Sequence, residues 1–85
     1  MVKVLKFTAA WCGPCKTLAP IIEQLRTEMN VDIEDKDIDS NMELAKDFNI
    51  ISIPTMVVLK NDKEVDRIIG LSNKKHIQNT IEKYL

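Results

Sequence analysis

Apolar positions change their period several times along the chain, and each change marks an element. Val2 to Phe7 (VKVLKF) is dense in β-branched and apolar residues and runs straight into Trp11-Cys12-Gly13-Pro14-Cys15 (WCGPC), which predicts a strand ending at a loop. Leu18, Ile21, Ile22, Leu25 and Met29 then recur three and four residues apart, the repeat of one helical face. Pro14 suits the first turn of that helix, where no backbone donor is needed, and Asn30 suits its end. Cys12 is thereby placed at a helix N-terminus. Pro20 falls inside the helix and removes a donor, which predicts a kink.

Val31 to Asp39 (VDIEDKDID) sets Val31, Ile33 and Ile38 among six charged residues. A strand this polar cannot be covered on both faces, so it is expected at a sheet edge, where charge also discourages unwanted pairing. Ser40 and Glu43 have the spacing of a capping box, and Leu44 with Phe48 forms an apolar pair on a short helix ending near Asn49. Thr55 to Lys60 (TMVVLK) and Glu64 to Ile69 (EVDRII) read as strands around the turn cluster Asn61-Asp62-Lys63. A last helix is expected from Ser72, its apolar stripe marked by Ile77, Ile81 and Tyr84 or Leu85. The order is βαβαββα, an α/β fold with helices on both faces of a four-stranded mixed sheet.

At 85 residues the chain has room for one domain, residues 1–85, with one modest core. Apolar residues make up 45% and charged residues 29%, a globular balance without the signature of disorder. The formal charge of -1 supplies no basic field for a phosphate backbone or an anionic membrane, so neither nucleic acid nor membrane is an expected partner. The N-terminal residues carry no apolar stretch long enough for a signal peptide, and the expectation is a mature cytoplasmic protein. No repeat, linker or low-complexity segment interrupts the chain.

Both cysteines of the protein lie in WCGPC, and three roles compete for them. A structural bridge over so small a loop removes little entropy from the unfolded chain. Tetrahedral zinc needs four ligands, and His76 is the one histidine available; a metal or an iron-sulfur cluster shared across a dimer is the distant variant. Redox chemistry is the default for Cys-x-x-Cys in a reducing compartment, with no cofactor required.

Taken together, WCGPC between a strand and a helix, Ile53-Pro54-Thr55 about forty residues later and Gly70 after a hairpin resemble the thioredoxin family over essentially the whole chain. Compared with full-length members, the resemblance implies that an N-terminal strand and helix would be missing, which makes the chain similar in size to glutaredoxins. The resemblance implies a thioredoxin-like fold and a protein-disulfide reductase. Cys12 would attack the substrate disulfide and Cys15 would resolve the mixed disulfide. Helix N-H groups and the helix dipole favour the Cys12 thiolate. Gly13 lets the active-site loop turn and Pro14 stiffens it. Trp11, otherwise an ordinary core residue, would shield the thiol and touch substrate.

The resemblance also implies a cis peptide at Ile53-Pro54, leaving the main chain of Ile53 to pair with an extended substrate, with Thr55 beside it. Gly70 and Leu71 would form the other wall of the groove. Implied partners are protein disulfides and a thioredoxin-reductase-type electron donor, with the protein working as a monomer. The alternatives are a glutathione-coupled, glutaredoxin-like reductant and a thioredoxin-fold binding module without redox turnover.

One position departs from the family pattern. Six residues before the attacking cysteine, thioredoxins usually carry a buried Asp that accepts the resolving cysteine's proton, and here the residue is Lys6. Nineteen residues before the proline the family often carries a Lys, and here it is Asp35. A reversed pair would keep the buried site neutral, with Asp35, directly or through water, helping Cys15 lose its proton and Lys6 favouring a thiolate. The plain alternative is a Lys6 that snorkels to solvent and an Asp35 that is merely a solvated edge charge.

Overall fold

The computed structural model describes residues 1–85. Its elements are β1 (Val2–Thr8), α1 (Gly13–Met29), β2 (Asp32–Asp37), α2 (Met42–Asp47), β3 (Thr55–Lys60), β4 (Lys63–Ile69) and α3 (Lys74–Glu82). The four strands form one sheet in the order β2-β1-β3-β4. β1 runs parallel to β2 and antiparallel to β3, and β3 pairs antiparallel with β4. The charged strand is at the edge, as its composition requires.

Strand alternation divides the core in two. Val4, Ile33, Met56, Val58 and Ile68 turn to one face, where they pack with Leu18, Ile22 and Leu25 of α1 and Ile77 and Ile81 of α3. Leu5, Phe7, Val57 and Leu59 turn to the other and meet Leu44, Ala45 and Phe48 around α2. β1 is central and its residues from Val4 to Phe7 are all buried, so a strand feeding the cysteine loop is anchored on both faces.

The element order is as expected, and the local differences have local causes. The edge strand is shorter than Val31 to Asp39, because after Asp37 the chain turns: Asn41 donates through its side-chain amide to the Asp37 carbonyl, and the Asp39 N-H to the Asp37 carboxylate. That turn moves the start of α2, whose cap residue is Asn41 without a side-chain cap bond, so Ser40 and Glu43 form no capping box. α3 is capped by Asn73, whose Oδ1 accepts from His76 N at 2.8 Å, one residue later than Ser72. β4 begins at Lys63, leaving Asn61 and Asp62 as a two-residue hairpin turn in which both residues have positive φ, as a turn matching the strand twist demands. α1 continues through Pro20 as one helix.

Tyr84 lies just beyond α3 and ties its end to the β3-β4 hairpin, its hydroxyl donating to Asp66 Oδ2 at 2.9 Å. The N-H of Arg67 and that hydroxyl hold the Asp66 carboxyl below the usual carboxylate range.

Candidate active site

Cys12 is the N-cap of α1, with extended φ and ψ, and its Sγ accepts the backbone N-H of Cys15 at 3.2 Å. One of the helix's unsatisfied donors therefore points at the sulfur, and the positive end of the dipole lies behind it. Pro14 occupies the first turn, where it removes no needed bond. The two cysteines are joined as a disulfide with Cα atoms 5.3 Å apart. Their exposures are 5% for Cys12 and 3% for Cys15, so in this oxidised form both cysteines are buried alike.

In front of the disulfide, Cys12 Sγ lies 3.9 Å from the carbonyl oxygen of Ile53. The Ile53-Pro54 peptide is cis. Pro54 and Thr55 are buried, and the Thr55 hydroxyl donates to the Ser52 carbonyl at 2.7 Å; these two residues brace the loop, while Ile53 reaches its surface. Gly70 has φ near 85°, a conformation that suits glycine, and its N-H donates to the Pro54 carbonyl at 2.8 Å. That bond ties the far wall, with the exposed Leu71 beside it, to the proline loop.

Trp11 is 67% exposed, so it is no core residue. Its indole N-H donates to Asp39 Oδ2 at 3.0 Å, which fixes the ring beside the cysteines. Between Trp11 and Ile53 opens a cavity of about 320 Å³ lined also by Ile38, Ala45, Ile50, Ile51 and Ser52. Gly13 stands at the surface of the loop with open space around it.

Behind the disulfide the surroundings are charged. Lys6 and Asp35 are direct partners in the β1-β2 register, and parity puts both on the face covered by α1, in line with Val4 and Ile33. Lys6 Nζ lies 3.2 Å from Asp35 Oδ1, with the lysine side chain 6% exposed and the aspartate 50%. Lys6 does not snorkel free; its ammonium is buried against a carboxylate. Lys6, Asp35 and Cys15 line one cavity of about 340 Å³ together with Thr8, Ala9, Ala10, Lys16, Ala19 and Asp37.

Two contributors escaped the sequence reading. Asp39 follows an edge strand of alternating charge, where nothing distinguishes it from its neighbours. Arg26, on the last turn of α1, pairs through Nη2 with Asp35 Oδ2 at 3.2 Å and donates through Nε to the Ile33 carbonyl at 3.1 Å. Its sequence signal was the ordinary one of a basic residue near a helix C-terminus.

A sulfur pair at a helix N-terminus, between an apolar groove and a charged cavity, defines a dithiol redox protein. The Thioredoxin family model matches residues 1–83. The chain is 38% identical over 86 aligned positions to a thioredoxin of Staphylococcus haemolyticus, covering 99% of this chain and 83% of the relative. It is similar to the Fasciola hepatica thioredoxin structure, with TM-score 0.92 and 38% identity over 99% of this chain and 81% of that one. A point-mutant thioredoxin from Halobacterium salinarum aligns with TM-score 0.94 and 31% identity over 98% and 74% of the two chains. The chain belongs to the thioredoxin family, and it is a dithiol protein-disulfide oxidoreductase. No helix is long and apolar enough to cross a membrane.

Proposed function

We propose that the protein works as a single-domain, monomeric reductant of protein disulfides in the cytoplasm, recharged by a thioredoxin-reductase-type donor. The observation that carries the division of labour is the bond from the Cys15 N-H to Cys12 Sγ at the start of α1. The same N-H that meets a disulfide sulfur here meets a thiolate after reduction, so negative charge is favoured on Cys12.

Cys12 as thiolate attacks one sulfur of the substrate disulfide, forming a mixed disulfide and expelling the first substrate thiolate. Cys15 then loses its proton and attacks Cys12 Sγ, which expels the second substrate thiolate and closes the Cys12–Cys15 bond. Two electrons have passed to substrate, and the donor returns them. An extended substrate segment lies along the main chain of Ile53 between Trp11 on one side and Gly70 and Leu71 on the other. Pro54 and Thr55 hold that wall from beneath, and Gly13 and Pro14 shape the loop between the cysteines. Lys6 and Asp35 set the protonation of Cys15 from behind.

Reduction of insulin disulfides, followed as turbidity, tests the reading: turnover is expected with a thioredoxin reductase and NADPH as electron source. Turnover with glutathione and glutathione reductase alone, at an equal or higher rate, would instead establish the glutaredoxin-like mode. Full biological function of a Cys12→Ser protein would establish a binding module.

A further inference from the structure

The half-exposed Asp35 carboxylate of this site is held by two cations. Asp35 Oδ1 lies 3.2 Å from Lys6 Nζ, and Asp35 Oδ2 lies 3.2 Å from Arg26 Nη2. The guanidinium is itself fixed, by the Ile33 carbonyl and by Glu23 one turn earlier on α1. Both oxygens of the Asp35 carboxylate are therefore engaged by cations, and a proton taken there would have to displace one of the two ion pairs.

Four charged groups face the cavity that Cys15 lines: Lys6 from β1, Lys16 from α1, and Asp35 and Asp37 from β2. Lys16 is exposed, and Asp37 already accepts the Asp39 N-H at 2.8 Å. Water screens exposed charges far more than buried ones. Of the four, the Lys6 side chain has its ammonium withdrawn from solvent. Lys6, Arg26, Asp35 and Glu23 together carry no net charge, but the Glu23 and Asp35 side chains are 66% and 50% exposed and that of Lys6 only 6%. The least screened charge of the network is therefore the Lys6 ammonium, while Arg26 takes the second oxygen of Asp35.

We infer that Arg26 is a positioning residue for the Cys15 step: by occupying Asp35 it withholds that carboxylate as a proton acceptor and leaves the Lys6 ammonium to stabilise the Cys15 thiolate. The proton goes to water, for which the cavity of about 340 Å³ has room. This rests on the reading of Cys15 as the resolving cysteine and replaces general-base catalysis by Asp35 with stabilisation of the thiolate by a buried charge.

Stopped-flow mixing of the reduced protein with 5,5′-dithiobis(2-nitrobenzoate) tests it. Cys12 attack releases a first thionitrobenzoate, and Cys15 attack on the mixed disulfide releases a second. The first release, a control for folding and for Cys12, is expected to stay within about twofold across the variants. Lys6→Met is expected to move the pH rise of the second release upward by about one unit, slowing it about tenfold at pH 6. Lys6→Arg should restore the early rise, and Arg26→Gln should move it in the same direction as Lys6→Met but less far. In the Lys6→Met background, where no buried amine is left unpaired, adding Asp35→Asn should speed the second release by removing a negative charge. Slowing in that background would make Asp35 the base, and an unmoved Arg26→Gln profile would remove Arg26 from the step; either result overturns the inference. Absence of any second release from the unsubstituted protein would instead defeat the dithiol reading beneath it.

Discussion

On the Cys12 side of the disulfide the chain presents Trp11, Ile51 and Ile53 around an open apolar cavity, whereas on the Cys15 side Lys6, Asp35 and Arg26 form a partly buried ion network. Both sides are built from the same short loop and the same central strand. They differ because β1 alternates: Leu5 and Phe7 face the α2 layer, while Val4 and Lys6 face α1. The proposed mechanism thus assigns substrate recognition to the side where apolar surface is left open, and proton handling to the side where a charge can be paired and shielded. A change on one side should alter binding of large substrates, and a change on the other should alter pH dependence.

The largest effect breaks the comparison altogether. Cys12→Ser should abolish insulin reduction, whereas Cys15→Ser should stop turnover after the first step and accumulate a mixed disulfide with substrate, visible by non-reducing electrophoresis. Loss of turnover without any trapped species would reverse the two roles. Trp11→Ala comes next. Losing an aromatic contact worth on the order of 1 kcal/mol should lower kcat/KM for insulin several-fold while leaving the pH profile in place. If the profile moves instead, front and back are not separable. Asn73→Ala, remote from both regions, should cost about 1 kcal/mol through the lost α3 cap, a fall in Tm of roughly 4–8 °C for a domain of this size, with no change in either rate. A change in rate there would show that the redox loop depends on α3.

Most of the fold was legible because its signals are local or periodic: the helical repeat from Leu18 to Met29, the turn residues Asn61 and Asp62, the charged composition of the edge strand. The misplaced caps at Ser40 and Ser72 show the limit, since an Asn follows each serine at the next position in sequence and three-dimensional packing chooses between neighbours with similar capping ability. WCGPC was legible as a redox motif because its chemistry is contained in five adjacent residues. The Lys6–Asp35 contact was foreseeable only as a pattern of two residues from a reversed family pair. Arg26 was not, because its partner comes from a strand packed beneath the helix, and the sequence spacing of Arg26 and Asp35 encodes no such approach. The hydrogen bond from Trp11 to Asp39 is hidden for the same reason.

The central claim is that Cys12 and Cys15 form a reducing couple, and the equilibrium potential of that couple against a glutathione buffer tests it most directly. Thioredoxin itself provides the reference value of about -270 mV, and a buried lysine that stabilises the reduced form should raise the potential modestly, to between about -270 and about -230 mV. Lys6→Met should then lower it. A value near about -120 mV, that of a strong oxidant, would contradict the account.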